Sequence, residues 1–447
     1  MNVMKKVKSS FFGSMGVLII ILLLVNGCYQ LDEVDRDNPN PHREAYEGIP
    51  LDEETISQIE GVLERATSKP FLPGVHTNPE NSLMPPIPGV VVGIRIPGKQ
   101  AWFGASGYSD LERKIPMNVD DKFRAGSITK SFVASSILKL SEEMREFDVD
   151  DKLEEWLPGI IPNGNEISIR NLLMHSSCLN NYTSHQDFSD GIQANPARRW
   201  TREEFIAMTI DAGPVCSSDS IGKNFNYSNT NYLLLGLILE QEKDKPLGDI
   251  LFEEFFSPLG LRNTFFQTAG DGFPGDYTSG YFDLDGNFVL ELVPYVDPSA
   301  LWAAGAVFTD AKDLLAWTKA AFSANGRALS ATLQSQRLNS LYEGVLNAGS
   351  QSTLANAGMG IGMGVIKRGE MLGHVGEIYG FSAYAGVYAE KQVSIVVLTN
   401  RTRYHKEENK EMDVFTIIDQ IFMKLYPEDY DIAEIGKYEG YDEQHSE

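Results

Sequence analysis

Ser127 and Lys130 lie three positions apart at the start of an apolar stretch that predicts a helix. Positions i and i+3 of a helix share a face, so the Lys130 amine can reach the Ser127 hydroxyl. A lysine can take the proton of a serine only if burial lowers the lysine pKa enough to leave the amine neutral. The first turn also leaves the N–H of Ser127 free to bind an oxyanion. The pair therefore predicts a buried helix whose first turn carries acyl-transfer chemistry.

Two further motifs follow this pair. Ser-x-x-Lys alone is a weak signal, because about one or two matches are expected by chance in a chain of this length. Tyr227-x-Asn229 comes next, and His374-x-Gly376 follows it. Together the motifs resemble the elements Ser-x-x-Lys, Tyr-x-Asn and Lys/His-x-Gly of the serine β-lactamase and penicillin-binding DD-peptidase superfamily. Residues 51–426 are most similar to soluble D-alanyl-D-alanine carboxypeptidases.

The resemblance implies an α/β (α+β) fold of the β-lactamase/transpeptidase-like type. In that architecture an antiparallel β-sheet is flanked by helices, and a mostly helical second lobe is inserted, here at about residues 142–298. Apolar runs broken by glycine near residues 90–106 and 363–399 agree with a sheet built from both ends of the domain. The active site is expected in the cleft between sheet and lobe, because pockets favour such boundaries.

The resemblance also assigns catalytic roles. Ser127 is expected to be the nucleophile that forms an acyl-enzyme, and Lys130 and Tyr227 are expected to share the proton transfers. A tyrosine with an ordinary pKa near 10 acts as a base only as a phenolate stabilised by cations, such as Lys130 or a charged His374. Which of the two residues takes the serine proton stays open at this point.

Five further residues are expected to contact the substrate. Asn229 would bond to the substrate amide and help to position the lysine of the first motif. The strand that carries His374 and Gly376 would lie along the substrate, with the glycine allowing close approach and the N–H of Glu377 completing the oxyanion hole. Trp302 would pack on the substrate from the rim of the cleft, although buried aromatic packing is the commoner role for such a residue.

One departure from the carboxypeptidase pattern bears on substrate choice. The carboxypeptidase-like members have hydroxyl residues where Val375 and Glu377 stand, and those hydroxyls help to hold the terminal carboxylate of the peptide. A glutamate there is expected to repel that carboxylate. Lys367 or Arg368 on the neighbouring strand could offset the repulsion.

A second departure concerns the stretch 167–179, which also resembles a family segment bordering the cleft and contains a histidine and several hydroxyls. Cys178 replaces the usual glycine, and glycine tolerates backbone conformations that cysteine does not. The sequence leaves open whether Cys178 and Cys216 form a disulfide, because it does not place their Cβ atoms.

The first residues predict a secreted lipoprotein. Lysines precede the short apolar run 17–25, which is too short to span a bilayer of about 30 Å as a helix. Residues 1–27 therefore read as a signal peptide, and the sequence ending at Cys28 resembles a bacterial lipobox. Cys28 is then the expected lipidation site and the protein's only link to the membrane, which places it in the bacterial cell envelope facing the periplasm or the exterior.

The boundaries of the remaining segments are predicted from their amino-acid composition. Residues 28–50 are rich in Asp, Asn, Pro and Glu and predict a flexible tether. Residues 51–427 predict the hydrolase domain, and residues 428–447 predict an acidic tail that is most simply solvated disorder.

The net charge and the spacing of the cysteines limit the kinds of partner and ligand that we expect. The formal charge of −24 repels polyanions, so nucleic acid is not expected as a partner. The sequence shows no Cys-x-x-Cys pair and no close pair of histidines, so we expect neither a metal nor a cofactor. A small peptide or a β-lactam is the expected substrate, and the oligomeric state is open.

The leading functional hypothesis is a D-Ala-D-Ala carboxypeptidase-like serine hydrolase acting on peptides of the peptidoglycan type. A β-lactamase is the nearest alternative, because the two differ in how fast water removes the acyl group. An esterase or another D-amino-acid peptidase of the same superfamily is the third. A sensor that recognises penicillin without turnover is the alternative from a different class.

Overall fold

The computed structural model describes residues 48–68, 86–271, 277–282, 290–341, 360–402 and 413–430. The predicted signal peptide, the lipidation site Cys28, and most of the predicted tether and acidic tail lie outside these residues. Among the described residues, no helix combines the length and the apolar character needed to cross a membrane.

The strands come from both ends of the domain. Their bounds are β1 Gly89–Arg95, β2 Trp102–Asp110, β3 Ile115–Pro116, β4 Phe123–Arg124, β5 Phe265–Phe266, β6 Tyr281–Phe282, β7 Glu291–Leu292, β8 Val307–Thr309, β9 Gly360–Gly362, β10 Val365–Arg368, β11 Met371–Ile378, β12 Phe381–Tyr388 and β13 Val393–Thr399. An eight-stranded sheet has the order β3-β2-β1-β13-β12-β11-β10-β9, and its paired strands are antiparallel. Two small sheets have the orders β4-β8-β5 and β6-β7.

The helices flank this sheet and fill the middle of the chain. Their bounds are α1 Glu53–Ser68, α2 Thr129–Glu143, α3 Leu153–Trp156, α4 Ile169–Leu173, α5 Gln186–Ala194, α6 Arg202–Ala212, α7 Asn229–Lys243, α8 Leu247–Leu251, α9 Ala311–Phe322, α10 Ala331–Asn339 and α11 Val414–Leu425. Helices α3 to α8 all fall within the stretch predicted to form the helical lobe. The predicted fold class, an antiparallel sheet flanked by helices, is confirmed.

Both faces of the central strands are buried, which explains why β1 is apolar along its whole length. Val90 and Val92 belong to a core with α1 and α11, whereas Val91 belongs to a second core with α2 and α9. Alternate residues of a strand point to opposite faces, so a continuous apolar run is needed to fill both cores.

Helix α2 lies inside the second core. Phe132 stacks on Trp317 of α9 with ring centroids 3.7 Å apart, and the indole Nε1 of Trp317 donates to Ser131 Oγ at 2.9 Å. The buried guanidinium of Arg337 donates to Ser135 Oγ at 2.6 Å. These contacts fix the position of the helix whose first turn carries Lys130.

A buried ion pair attaches α11 to the sheet. Arg368 donates two hydrogen bonds of 2.8 Å to the two carboxylate oxygens of Asp419, and both side chains are almost fully buried. Tyr430 donates to the same carboxylate at 2.5 Å and is buried as well. The packed structure therefore extends to Tyr430, three residues into the segment predicted as an acidic tail.

Cys178 and Cys216 form a disulfide with Cα atoms 5.3 Å apart, which settles the pairing that the sequence left open. Cys178 has a φ of +62°, in the left-handed region that glycine adopts at little cost. The backbone conformation expected of the family's glycine is thus kept, and cysteine takes it up within a covalent cross-link.

The disulfide is expected to stabilise the fold through chain entropy, whereas the positive φ of Cys178 costs strain energy. Removing it with Cys178→Ala and Cys216→Ser should lower the free energy of unfolding by about 3–4 kcal/mol, given the sequence separation of 38. Cys178→Gly with Cys216→Ser should be about 0.5–1 kcal/mol more stable than the alanine form. Relief of strain at positive φ exceeds the extra entropy that glycine gives the unfolded chain. Urea unfolding followed by circular dichroism measures both values, and equal stability of the two double variants would contradict the strain argument.

Candidate active site

Four side chains from the first two sequence motifs meet in the structure. Ser127 lies in the single 3₁₀ turn Gly126–Ile128 that leads into α2, and Lys130 lies in the first turn of that helix. Tyr227 and Asn229 lie at the start of α7. Ser127 Oγ is 3.0 Å from Lys130 Nζ and accepts a hydrogen bond of 2.7 Å from Tyr227 Oη. The structure thus brings together residues that are about 100 positions apart in the chain.

The Lys130 amine is surrounded by neutral oxygens. Besides the serine, Nζ contacts Asn229 Oδ1 at 2.7 Å and the carbonyl oxygen of Ala304 at 2.8 Å, and the residue is fully buried. Burial lowers the pKa of Lys130 well below its ordinary value. The rings of Tyr227 and Tyr232, 4.9 and 5.6 Å from Nζ, favour the charged form, but such contacts do not replace the lost water.

A neutral amine fits the three neighbours of Nζ. Its two hydrogens bond to the Asn229 and Ala304 oxygens, which can only accept. Its lone pair is then left for the hydroxyl of Ser127, which can donate. The geometry therefore places a proton acceptor, the lone pair of Lys130 Nζ, beside the hydroxyl of Ser127.

Tyr227 is the other neighbour of the serine hydroxyl. Burial raises the pKa of the Tyr227 phenol, the hydrogen bond to Ser127 lowers it, and the carboxylate of Glu377 raises it, with burial the largest cause. Tyr227 is therefore a protonated phenol in the resting protein. This result disfavours the alternative in which a phenolate takes the serine proton.

His374 does not supply the cation considered in the sequence analysis. Burial and the neighbouring Lys130 lower the pKa of His374 to about 3, although its hydrogen bond to Val375 opposes them. Its Nδ1 donates to the carbonyl of Val375 at 2.6 Å. His374 is neutral near pH 7, so the expectation that a charged His374 stabilises a phenolate is wrong.

A second buried histidine supports the tyrosine. The ring of His175 stacks on that of Tyr227 with centroids 4.3 Å apart, and its Nδ1 accepts from the N–H of Ser228 at 3.2 Å. The Nδ2 of Asn231 lies 3.2 Å from the same atom. Burial, Lys130 and His374 lower the pKa of His175 well below its ordinary value. The stretch 167–179 thus packs a neutral imidazole behind the phenol.

Asn229 is held in one orientation. Its N–H donates to Asn181 Oδ1 at 3.1 Å, and its side-chain Nδ2 donates to Thr183 Oγ1 at 3.1 Å. Its Oδ1 therefore faces Lys130, which is the positioning role expected from the sequence. Asn181, Thr183 and Ala304 were missed by the sequence analysis. A backbone carbonyl carries no residue signature, and the first two lie in a loop without a motif.

Strand β11 packs directly on the turn that carries the serine. A Cβ atom on Gly376 would lie 2.0 Å from the carbonyl oxygen of Ala125, so only glycine fits there. Gly126 has a φ of +52°, and a Cβ on it would lie 2.8 Å from the backbone nitrogen of Glu377. The backbone of Glu377 is therefore next to the residue that precedes Ser127.

Trp302 occupies a structural position. It is 7% exposed, and a Cβ on Gly236 of α7 would meet its ring at 2.9 Å. The guanidinium carbon of Arg202 lies 4.0 Å from the ring centroid on another side. The ring packs against these residues, so the expectation that Trp302 packs on the substrate is not supported.

The cations expected to offset Glu377 have carboxylate partners of their own. Lys367 Nζ lies 3.9 Å from Glu370, a neighbour in the turn after β10. Arg368 is buried in its ion pair with Asp419. Each of the two cations thus has a carboxylate partner other than Glu377.

Within the described ranges, histidine, cysteine, aspartate and glutamate form no group of three that could hold a metal ion.

This chain resembles known proteins over most of its length. The family model described as beta-lactamase matches residues 83–414. A D-aminopeptidase of Cereibacter sphaeroides is 27% identical over 319 residues, which cover 70% of this chain but 57% of that protein. The match therefore spans little more than half the length of that relative.

Solved structures share the fold. A D-stereospecific amidohydrolase from Streptomyces sp. has a TM-score of 0.67 and 26% identity, covering 82% of this chain and 98% of that chain. The octameric penicillin-binding protein homologue from Pyrococcus abyssi has a TM-score of 0.61 and 26% identity, covering 76% of this chain and 73% of that chain. Together with the family match, these likenesses show that the chain is a hydrolase of the β-lactamase family, within the superfamily of serine β-lactamases and penicillin-binding proteins.

Proposed function

We propose that this protein is a serine hydrolase that forms an acyl-enzyme at Ser127 and cleaves amide or peptide bonds of substrates with D-residues. The observation that carries the proposal is the position of Ser127 Oγ, 3.0 Å from a buried amine and 2.7 Å from a protonated phenol. These distances are within the reach required for proton transfer to and from a nucleophile.

Acylation follows from the proton positions. Ser127 Oγ attacks the substrate carbonyl carbon while its proton passes to the lone pair of Lys130 Nζ. The carbonyl oxygen becomes an oxyanion, which the N–H groups of Ser127 and Glu377 stabilise. When the tetrahedral intermediate collapses, the leaving amine takes a proton from Tyr227, and the resulting phenolate takes the proton that the ammonium of Lys130 holds, so that both groups are neutral again.

Deacylation uses the same groups in reverse. Once Lys130 is neutral again, it takes a proton from water, whose oxygen attacks the acyl carbon and releases Ser127 with its hydrogen restored. Asn229 and Ala304 keep the amine in place through both steps, since each accepts one of its hydrogens. The cycle needs no cofactor.

The substrate class draws on the relatives. One is named a D-aminopeptidase and another a D-stereospecific amidohydrolase, which supports a D-residue on the acyl side of the bond. The D-Ala-D-Ala carboxypeptidase activity favoured by the sequence analysis, and β-lactamase activity, stay as the second candidates because a solved relative is a penicillin-binding protein homologue. A non-catalytic sensor is disfavoured by the intact proton path at Ser127.

The cellular setting is also a proposal. We infer that Cys28 carries a lipid anchor and that the enzyme works in the bacterial cell envelope on small peptides or amides. The basis is the charged and apolar pattern of residues 1–27 and the negative formal charge of −24, which disfavours nucleic acid as a partner.

Labelling with a fluorescent penicillin tests the nucleophile. The protein without residues 1–28 should gain one label on Ser127, and Ser127→Ala should gain none, because only an activated hydroxyl opens the β-lactam ring. Mass spectrometry locates the label. Ser141→Ala, on the same helix α2, is the matched control and should label like the wild type. Equal labelling of Ser127→Ala would contradict the assignment. Slow loss of label favours a peptidase and fast loss a β-lactamase.

The pH profile tests which group is the base. Because burial lowers the pKa of Lys130, kcat/KM for a D-alanine p-nitroanilide should rise with pH and level off well below the ordinary lysine value. Lys130→Arg should lower kcat by at least about 100-fold, because a guanidinium stays protonated. Because the pKa of His374 is about 3, this residue should add no ascending or descending limb to the pH profile of kcat/KM near neutral pH. An ascending limb that moves in His374→Asn would contradict this reading.

A further inference from the structure

The disulfide between Cys178 and Cys216 joins two segments that carry or contact the catalytic side chains. We call residues 175–183 the histidine loop, because it begins with His175, and residues 213–227 the tyrosine loop, because it ends with Tyr227. Three backbone hydrogen bonds pair the loops, from Val215 N to Cys178 O at 3.0 Å, from Gly222 N to Ser176 O at 2.8 Å and from Asn226 N to His175 O at 2.7 Å. The pairing thus runs from the disulfide to the residue before the phenol.

The histidine loop also holds the start of α7. The backbone N–H and the side-chain Nδ2 of Asn229 donate to Asn181 Oδ1 and Thr183 Oγ1, each at 3.1 Å. At the other end of the loop, the ring of His175 stacks on that of Tyr227. A shift of the histidine loop therefore moves both the phenol and the amide that surround the nucleophile and its base.

Packing holds the tyrosine loop only weakly. No residue from 213 to 224 is buried, and the regular structure within this stretch is the 3₁₀ turn Ser218–Ser220. Segments with few buried apolar contacts open locally at a low cost in free energy. The covalent link to Cys178 therefore restrains a part of the chain that packing restrains little.

The backbone of Cys178 gives the histidine loop a reason to move once the link is broken. Its φ of +62° costs a residue with a side chain about 1–2 kcal/mol. The intact disulfide keeps the residue in this conformation. After cleavage, relaxation to a negative φ relieves the strain and turns the backbone of the loop.

We infer that the disulfide positions Tyr227 and Asn229 for catalysis, and that its reduction by a dithiol lowers turnover without unfolding the domain. The inference rests on the proposed acyl-enzyme chemistry at Ser127 and adds a dependence of that chemistry on the redox state of the two cysteines.

The reduction begins at the more accessible sulfur. A thiolate of the dithiol attacks Sγ of Cys216, which is partly exposed, whereas Cys178 is 2% exposed. The S–S bond breaks, and Cys178 leaves as a thiolate that takes up a proton. The second thiol of the dithiol then displaces Cys216 in the same way. The protein gains two electrons and two protons, and the reductant becomes a cyclic disulfide.

Turnover before and after treatment with dithiothreitol tests the inference. The full chain with Cys28→Ser is suited to this test, because its two remaining cysteines are those of the disulfide. Reduction, verified by a mass increase of two hydrogens, should lower kcat for D-alanine p-nitroanilide by about 10- to 100-fold, since small displacements of catalytic groups have effects of this size. Reoxidation should restore kcat. An unchanged kcat in the fully reduced protein, or loss of its far-UV circular dichroism, would overturn the inference.

The stoichiometry of penicillin labelling distinguishes positioning from a merely structural role. A displaced but intact site should still reach one label per chain, at a rate lowered by about the same factor as kcat. Partial unfolding would instead reduce the number of chains that are labelled, and this result would contradict a positioning role.

Two double variants without the disulfide test the part played by residue 178. In Cys178→Gly with Cys216→Ser, glycine adopts the positive φ at little cost and should keep the histidine loop in place. Cys178→Ala with Cys216→Ser is the matched control, which lacks the link but keeps the strain, and its kcat should match that of the reduced protein. The glycine form should be at least about 10-fold faster than the alanine form, and neither should respond to dithiothreitol. Equal rates of the two forms would overturn the inference.

The oxidised protein separates failure of this inference from failure of the proposed function. If penicillin labels Ser127 and reduction leaves the labelling rate unchanged, the disulfide only stabilises the fold, and the serine chemistry stands. If the oxidised protein neither labels nor hydrolyses the anilide, the proposed function fails and the inference fails with it.

Discussion

The burial of one amine determines what this site can do. Lys130 Nζ is fully enclosed and is held by a side-chain amide oxygen and a backbone carbonyl oxygen, neither of which carries a full charge. A carboxylate in either position would stabilise the ammonium and remove the proton acceptor. The amine is kept enclosed by three features. These are the aromatic packing around α2, the loop that orients Asn229 and the turn at Ala304.

Much of the site could be predicted because its chemistry depends on side-chain types at fixed spacing. Ser127 and Lys130 share a helix face, and Tyr227 and Asn229 share the start of another helix. Gly376 belongs to the third motif, in which the glycine is expected to allow close approach of the substrate, and the structure adds that a side chain there would meet the carbonyl oxygen of Ala125. The fold class follows from the same resemblance and from apolar runs that fill two cores.

The remainder depends on packing that a linear pattern does not encode. The carbonyl of Ala304 has no identifying side chain, and the ring of Trp302 turns toward α7 and Arg202. The neutral state of His374 depends on its enclosure. The partners of Arg368 depend on the docking of a helix that lies some fifty residues later in the sequence. Each of these requires the three-dimensional neighbours to be known.

The three atoms nearest to a Cβ placed on Gly126 are backbone atoms of residue 377, at 2.8, 2.9 and 3.0 Å. A mutation of the side chain at position 377 therefore leaves intact the surface on which the nucleophile's turn rests. The side chain at this position can therefore differ between relatives while the backbone beside the nucleophile's turn is kept. Because the backbone and the side chain of one residue have separate roles, relatives that share a reaction can come to act on different substrates.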